Sequence, residues 1–90
     1  MTSNNSVNKA IGLLHLLAAA HRPLRFTDMQ AASRIPKGTL HSLLASLEQN
    51  DFVARSGAGY EIGLGAFQVG TAVRAPAFLE SGQEEIRIGR

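Results

Sequence analysis

The chain contains no cysteine among its 90 residues, and this absence excludes several kinds of chemistry. Without thiols it cannot hold a disulfide framework, a thiolate nucleophile or the cysteine ligands of a zinc finger. No apolar run approaches the ~18 residues that a membrane-spanning helix requires. The first residues, MTSNNS, lack the basic stretch that begins a secretory signal. We therefore expect a soluble, cytoplasmic protein without a membrane partner.

Recognisable catalytic and metal-binding motifs are missing too. His15, His21 and His41 have no spacing that would complete a metal-ligand set, so we interpret them as structural or surface residues. The glycines within 57–63 have the wrong interval for a dinucleotide-binding loop and are followed by a strand-like segment. No G-x-S-x-G motif is present. We expect no enzyme, no catalytic residue, no cofactor and no metal.

The composition allows one small domain with a mild positive charge. A hydrophobic content of 44% over 90 residues supports a single modest core. The formal net charge is only +2, but basic residues outnumber acidic ones between positions 20 and 60. The basic residues of that region are Arg22, Arg25, Arg34, Lys37 and Arg55. This balance is compatible with phosphate binding but does not demonstrate it.

The most informative segment is 27–50, TDMQAASRIPKGTLHSLLASLEQN, which reads as two helices joined by a tight turn. At about 100° per residue, the leucines of the second helix form one stripe between roughly 240° and 340°. The opposite arc is polar or small. The stripe contains Leu40, Leu43, Leu44 and Leu47, and the arc contains Lys37, Gly38, His41, Ser42, Ala45, Glu48 and Gln49. Such an arc suits close approach to base edges, although a merely solvated surface is the alternative.

Local signals set the boundaries of these two helices. Thr27 and Gln30 form a possible capping box, with Phe26 stapled against Ala31. The first helix should end near Ser33 and the second should begin at or just after Pro36. So short a connection predicts a steep crossing angle, with Met29, Ala32 and Ile35 buried against the leucine stripe. The arrangement is a helix-turn-helix.

The remaining chain predicts a winged arrangement around this unit. Ser6 can cap a helix over 7–20, whose inner face would carry Val7, Ala10, Ile11, Leu14, Leu17 and Ala18. A short extended segment at 24–26 follows, and Asn50 can close the later helix in the left-handed conformation. Strands over 52–55 and 60–62 flank a turn at 56–59, with Tyr60 and Ile62 on one face and Glu61 on the other. A final helix at 66–75, with Phe67, Val69 or Gly70, and Val73 facing a partner, ends before Pro76.

The stretch from Val7 to Gly65 resembles the N-terminal DNA-binding domain of the IclR family of bacterial transcription regulators. The features that carry the resemblance are the leucine-rich first helix, the segments 24–27 and 36–39, the later leucines, and the Tyr-x-x-Gly ending at 60–63. The resemblance implies a homodimer on a palindromic operator, and a small-molecule effector bound by a C-terminal domain that is missing here. Relatives usually have Ser where Gly38 stands and Arg where Ser42 stands, which weakens the transfer of contact residues.

The fold class that we predict is mainly α with a small β-hairpin, a winged helix-turn-helix followed by a linker helix. Residues 1–6 form a flexible N-terminus, 7–65 the DNA-binding domain, and 66–90 a linker helix and tail. The tail is either a linker toward the missing domain or a segment that needs a partner to order.

The predicted partner is double-stranded DNA. The recognition helix, about 36–49, would enter the major groove, and the wing at 55–59 would contact the backbone or minor groove. The predicted DNA-binding residues are Arg25, Thr27, Arg34, Lys37, Gly38, Thr39, His41, Ser42, Arg55, Ser56, Gly57 and Gly59. Two alternatives stay open: a hairpin that merely connects, and a winged helix that binds protein instead of DNA.

Overall fold

The computed structural model describes residues 4–73, and the predicted element order is confirmed. Three helices precede an antiparallel two-stranded hairpin, and a short fourth helix follows it. Their bounds are α1 Asn5–Ala20, α2 Phe26–Ser33, α3 Lys37–Gln49, β1 Val53–Ser56, β2 Gly59–Ile62 and α4 Leu64–Gly70. The fold is a winged helix-turn-helix, as the sequence predicts.

Helix α1 starts earlier than predicted and turns a different face to the core. The side chain of Asn4, not Ser6, accepts the capping hydrogen bond, from the Val7 backbone N–H at 3.1 Å. Leu13 and Leu17 are buried, whereas Val7 and Ile11 remain 51% and 47% exposed. The predicted inner face is therefore wrong for its first half. Apolar residues lie on both sides of α1, so periodicity alone could not select the buried side.

The capping interaction of α2 also differs from the prediction. The helix begins at Phe26, and Arg25 rather than Thr27 is the N-cap residue. The backbone N–H of Arg25 donates to Oδ2 of Asp28 at 3.1 Å. Asp28 replaces Gln30 in this role because a carboxylate in the first turn gains from the positive end of the helix dipole and a neutral amide does not. The proposed Thr27–Gln30 box is wrong.

The turn between α2 and α3 lies where the sequence predicts it. Arg34 adopts the left-handed conformation with φ of 61°, and its N–H donates to the Gln30 carbonyl at 2.8 Å. The Ser33 hydroxyl accepts from the Ile35 N–H at 3.2 Å. Pro36 is the N-cap residue of α3, so its missing N–H costs nothing there. The turn thus satisfies its own backbone groups while Ile35 enters the core.

The core joins all three helices to the hairpin. Its buried side chains are Leu13, Leu17, Leu24, Met29, Ile35, Leu40, Leu44, Val53 and Tyr60. Leu43 and Leu47 of the predicted stripe are half-buried against this core. Ala32 is exposed, contrary to the prediction, whereas Met29 and Ile35 are buried as predicted. Each fully buried large apolar side chain stabilises the fold by ~1.5–3 kcal/mol.

Three residues connect α3 to the hairpin, and one of them has a left-handed backbone conformation. That residue is Asp51, with φ of 60°, and not Asn50, whose side-chain amide instead donates to the Ser46 carbonyl at 2.9 Å. The strands pair in register from Val53 opposite Ile62 to Ser56 opposite Gly59. The predicted edge strand at 24–26 is reduced to one bridge between Leu24 and Tyr60, with N···O distances of 2.9 and 2.7 Å.

The helices at both ends of the described residues differ from the predicted boundaries. Asn5 and Ser6 already belong to α1, although the sequence predicts a flexible segment through residue 6. Helix α4 begins at Leu64 and ends at Gly70, so the predicted helix over 66–75 is displaced toward the hairpin. Residues 1–3 and 74–90 lie outside the described residues, and so does the predicted tail.

Candidate nucleic-acid interface

One side of α3 is open to solvent along its length. Leu40 and Leu44 are 0% and 2% exposed and anchor the opposite side in the core. The exposed side carries the polar and small residues that the sequence placed there: Lys37, Gly38, His41, Ser42, Ala45 and Gln49. Thr39 is half-buried at the margin of this face, as its position on the helical wheel predicts. The sequence thus assigned the two sides of α3 correctly.

The first turn of α3 has an exposed glycine, Gly38, which has no side chain. A Cβ atom placed on Gly38 would meet nothing within 4 Å. No neighbouring atom therefore requires glycine at this position. Because glycine has no side chain, a partner can approach the helix axis closely here. Ala45 lies about one turn after Ser42 on the same side of the helix, and it is likewise small and exposed.

The side chain of His41, on this face, has an aromatic neighbour. Its imidazole stacks on the ring of Phe26, with centroids 4.2 Å apart and planes inclined by 25°. Phe26 is half-buried and packs against the core from the first turn of α2. Sequence reasoning missed this pair because its members lie in different helices and neither residue type signals the contact.

The start of α2 and the following turn supply further exposed polar groups. Arg25 and Thr27 are exposed around the N-terminus of α2, and Arg34 is exposed in the turn. The N-terminus of α2 would attract an anion, but the carboxylate of Asp28 already accepts one of its N–H groups. An incoming phosphate at this point therefore depends on the side chains of Arg25 and Thr27 more than on the helix dipole.

The wing is tied to the second half of α3. Nε of Arg55 lies 3.3 Å from Oε2 of Glu48, and the guanidinium carbon lies 4.9 Å from the centroid of the Tyr60 ring. The Arg55 side chain still exposes 65% of its surface. It is thus available to a partner, although part of its charge is already offset by Glu48. Glu48 and Tyr60 are partners of the site that sequence reasoning did not assign.

The wing glycines and serine do not share one environment. Gly57 is exposed in the turn with φ of 59°, and Ser56 is half-buried. Gly59 is buried, and a Cβ on it would lie 2.9 Å from the Leu24 carbonyl oxygen. This packing requirement accounts for the glycine, and the predicted contact of Gly59 with DNA stays a prediction. The position needs glycine because the hairpin and the Leu24 backbone approach each other closely.

A metal-binding cluster and a helix able to cross a membrane are both absent from the described part of the chain. Between residues 4 and 73, no three His, Asp or Glu side chains come together as a metal-binding group. No helix within the same range is both long and apolar enough to cross a membrane.

Comparison with known families identifies the domain. The model of the IclR helix-turn-helix domain matches residues 6–57, which include α1 from its second residue, the helix-turn-helix and the whole first wing strand. The chain belongs to the IclR family. Membership of this family confirms the winged helix-turn-helix and makes the chain a DNA-binding domain of a transcription regulator, not an enzyme.

The chain is similar to two curated relatives. The chain is 34% identical to the glycerol operon regulatory protein of Streptomyces coelicolor over 68 residues, which cover 73% of the chain and 27% of the relative. It is 36% identical to the protein of the same name from Streptomyces griseus over 61 residues, which cover 68% of the chain and 24% of the relative. The chain thus spans about a quarter of the length of these relatives. No solved structure gives a significant match.

Proposed function

We propose that this IclR-family domain reads a specific operator sequence by placing α3 in the major groove. The observation that carries the proposal is the exposed polar and small side of α3, held outward by Leu40 and Leu44 in the core. A helix with short side chains on its outer face can approach base edges closely, and it can present hydrogen-bonding groups there.

The proposed contacts fall into two groups. Lys37, Gly38, His41 and Ser42 lie nearest the bases. The others contact the phosphate backbone or, from the wing, the minor groove: Arg25, Thr27, Arg34, Thr39, Arg55, Ser56 and Gly57. Phosphate contacts fix the position of the protein on the duplex, whereas the first group distinguishes sequences.

We further propose that the domain acts as a homodimer on a palindromic operator. An apolar groove between α1 and α4 supports this, lined by Ile11, Leu14, His15, Ala18, Ile62, Ala66 and Phe67. None of these residues is Asp, Glu, Lys or Arg, so two copies can face each other without placing like charges together. Two such domains would place their recognition helices about 34 Å apart, or a multiple of it, on one side of the duplex.

The regulatory role is proposed from the relatives. The relatives are named as regulators of a glycerol operon, and this chain spans about a quarter of their length. We propose that a small-molecule effector acts on this domain through a separate domain outside the chain. A DNA partner supports our proposal that the protein acts in the bacterial cytoplasm.

The test is binding to DNA recovered from a random pool by the chain, measured against a shuffled duplex from low to moderate salt. The proposal expects preference for the recovered sequence and a steep, linear fall of log affinity with log salt concentration. Arg55→Ala should weaken binding to every duplex, His41→Ala should change base preference, and Gln68→Ala on α4 should do neither. A flat salt response, or equal affinity for both duplexes, would instead favour a winged helix that binds protein.

The dimer is tested on the same recovered sequence. Hydroxyl-radical footprinting should show two protected half-sites separated by one or more helical turns. Ile11→Asp, which places a charge in the apolar groove, should abolish cooperative occupation, so that each half-site is filled independently. Cooperative occupation of both half-sites by that variant would remove the groove from the dimer interface.

A further inference from the structure

The aromatic pair between Phe26 and His41 connects the protein core to the outer face of α3. Phe26 is the first residue of α2 and packs its half-buried ring against the core. His41 lies one turn into α3 and is exposed. The rings meet at a centroid distance of 4.2 Å with planes inclined by 25°, which is the stacked arrangement that aromatic pairs favour.

This contact restricts the imidazole in a particular way. An exposed side chain on a helix otherwise samples several rotamers, and binding must then select one of them. Stacking occupies one face of the His41 ring and leaves the edge with the two nitrogens accessible. Within residues 4–73, neither ring nitrogen of His41 takes part in a hydrogen bond. The donor and acceptor of a neutral imidazole are therefore both free for an outside partner.

We propose that Phe26 is a positioning residue for base recognition by His41. The inference rests on the proposed function, because it assumes that α3 reads base edges. The Phe26 ring fixes the plane of the imidazole before DNA arrives, so that its edge faces the acceptors and donors of a purine in the major groove. Less side-chain freedom is lost on binding, and only one orientation of the imidazole contributes to sequence choice.

The stack can be measured without DNA. In the unmodified chain, the ring protons of His41 should resonate upfield of those of His21, which is exposed and serves as an internal reference. Phe26→Leu, which retains an apolar side chain of similar packing, should abolish the difference. Phe26→Tyr should preserve it. Ordinary His41 shifts in the unmodified chain would overturn the proposal whatever the variants do.

A double-mutant cycle tests the role in recognition. The quantity is the ratio of affinities for the recovered sequence and for a duplex altered at the base pair where His41→Ala changes preference. Phe26→Leu should lower that ratio by about two- to tenfold, the range expected from losing one aromatic pair. In the His41→Ala background the same change should have no effect, and Phe26→Tyr should retain the full ratio.

The outcomes separate this inference from the function on which it rests. If the unmodified chain shows no sequence preference, the proposed function fails. If His41→Ala changes base preference but Phe26→Leu lowers affinity equally for all duplexes, only the positioning role fails. An equal effect of Phe26→Leu in both backgrounds would show that it acts through stability, and thermal unfolding of each variant would reveal the same.

Discussion

Arg55 of the wing lies with its Nε 3.3 Å from the Glu48 carboxylate, and this pair joins the hairpin to the second half of α3. The two residues are seven positions apart in sequence and belong to different elements. Because both side chains are partly exposed, the pair contributes little to stability. Its importance is electrostatic, since it places a negative charge beside the cation that is proposed to meet the DNA backbone.

Glu48→Gln should therefore strengthen DNA binding. Removing the carboxylate releases Arg55 to phosphate and eliminates repulsion between Glu48 and the duplex. An increase of about 1.4- to fivefold in affinity at low salt is expected, from an interaction of ~0.2–1 kcal/mol. Fluorescence anisotropy with the recovered operator measures it. The matched control is Glu61→Gln, which removes an equal charge from an exposed position of β2. Equal strengthening by both variants would attribute the effect to net charge alone.

Ser42→Arg should add a contact on the exposed side of α3. Ser42 is exposed, so a longer side chain can extend into solvent from this position. The added cation should make the slope of log affinity against log salt steeper by about one phosphate contact. Binding titrations at several salt concentrations measure the slope. Ala31→Arg, at an exposed position of α2, tests whether any added cation does the same; an identical slope change would place Ser42 away from the duplex.

Gly59→Ala should impair folding rather than contact with DNA. The added Cβ would lie 2.9 Å from the Leu24 carbonyl oxygen and 3.1 Å from its carbonyl carbon, so the Leu24–Tyr60 bridge has to shift. We expect a loss of ~1–3 kcal/mol in the free energy of unfolding, comparable to other overpacked sites. Urea denaturation followed by circular dichroism measures it. A variant with unchanged stability but weakened DNA binding would return Gly59 to the list of contacts.

Leu44→Ala should destabilise the whole domain. Its side chain is 2% exposed and backs the middle of α3, so truncation leaves a cavity between the helices. The expected cost is ~2–5 kcal/mol, a large part of the stability of a small domain. Thermal denaturation measures the change. Leu64→Ala, at a position that is 66% exposed, is the control and should cost far less. Similar losses for both would mean that α3 is not anchored by its leucine stripe.

The sequence was most informative where one-sided patterns and backbone constraints coincide. The leucines of α3 all fall on one arc, and Pro36 restricts where that helix can begin, so both the buried side and the boundary were predictable. The glycine-rich turn at 56–59 likewise gave the hairpin. Each of these features depends on neighbouring residues only.

Features that depend on tertiary contact could not be predicted in the same way. Helix α1 has apolar residues on two sides, and only packing against α2 and α3 decides that Leu13 and Leu17 are buried. The requirement for glycine at position 59 depends on the close approach of the Leu24 backbone, which is distant in sequence. The Phe26–His41 stack and the Arg55–Glu48 pair join separate elements, so no spacing in the sequence indicates them.

The lack of native cysteine permits a direct test of where α3 lies on DNA. A single Ser42→Cys variant, labelled with a photoactivatable cross-linker and bound to the recovered operator, places the reagent on the exposed side of the recognition helix. The matched Gln68→Cys variant places it on α4. We expect position 42 to cross-link to bases within each half-site through the major groove, and position 68 to give no base cross-links. Base cross-links from position 68 with none from position 42, in a complex that still prefers its operator, would contradict the assignment of α3 as the recognition helix.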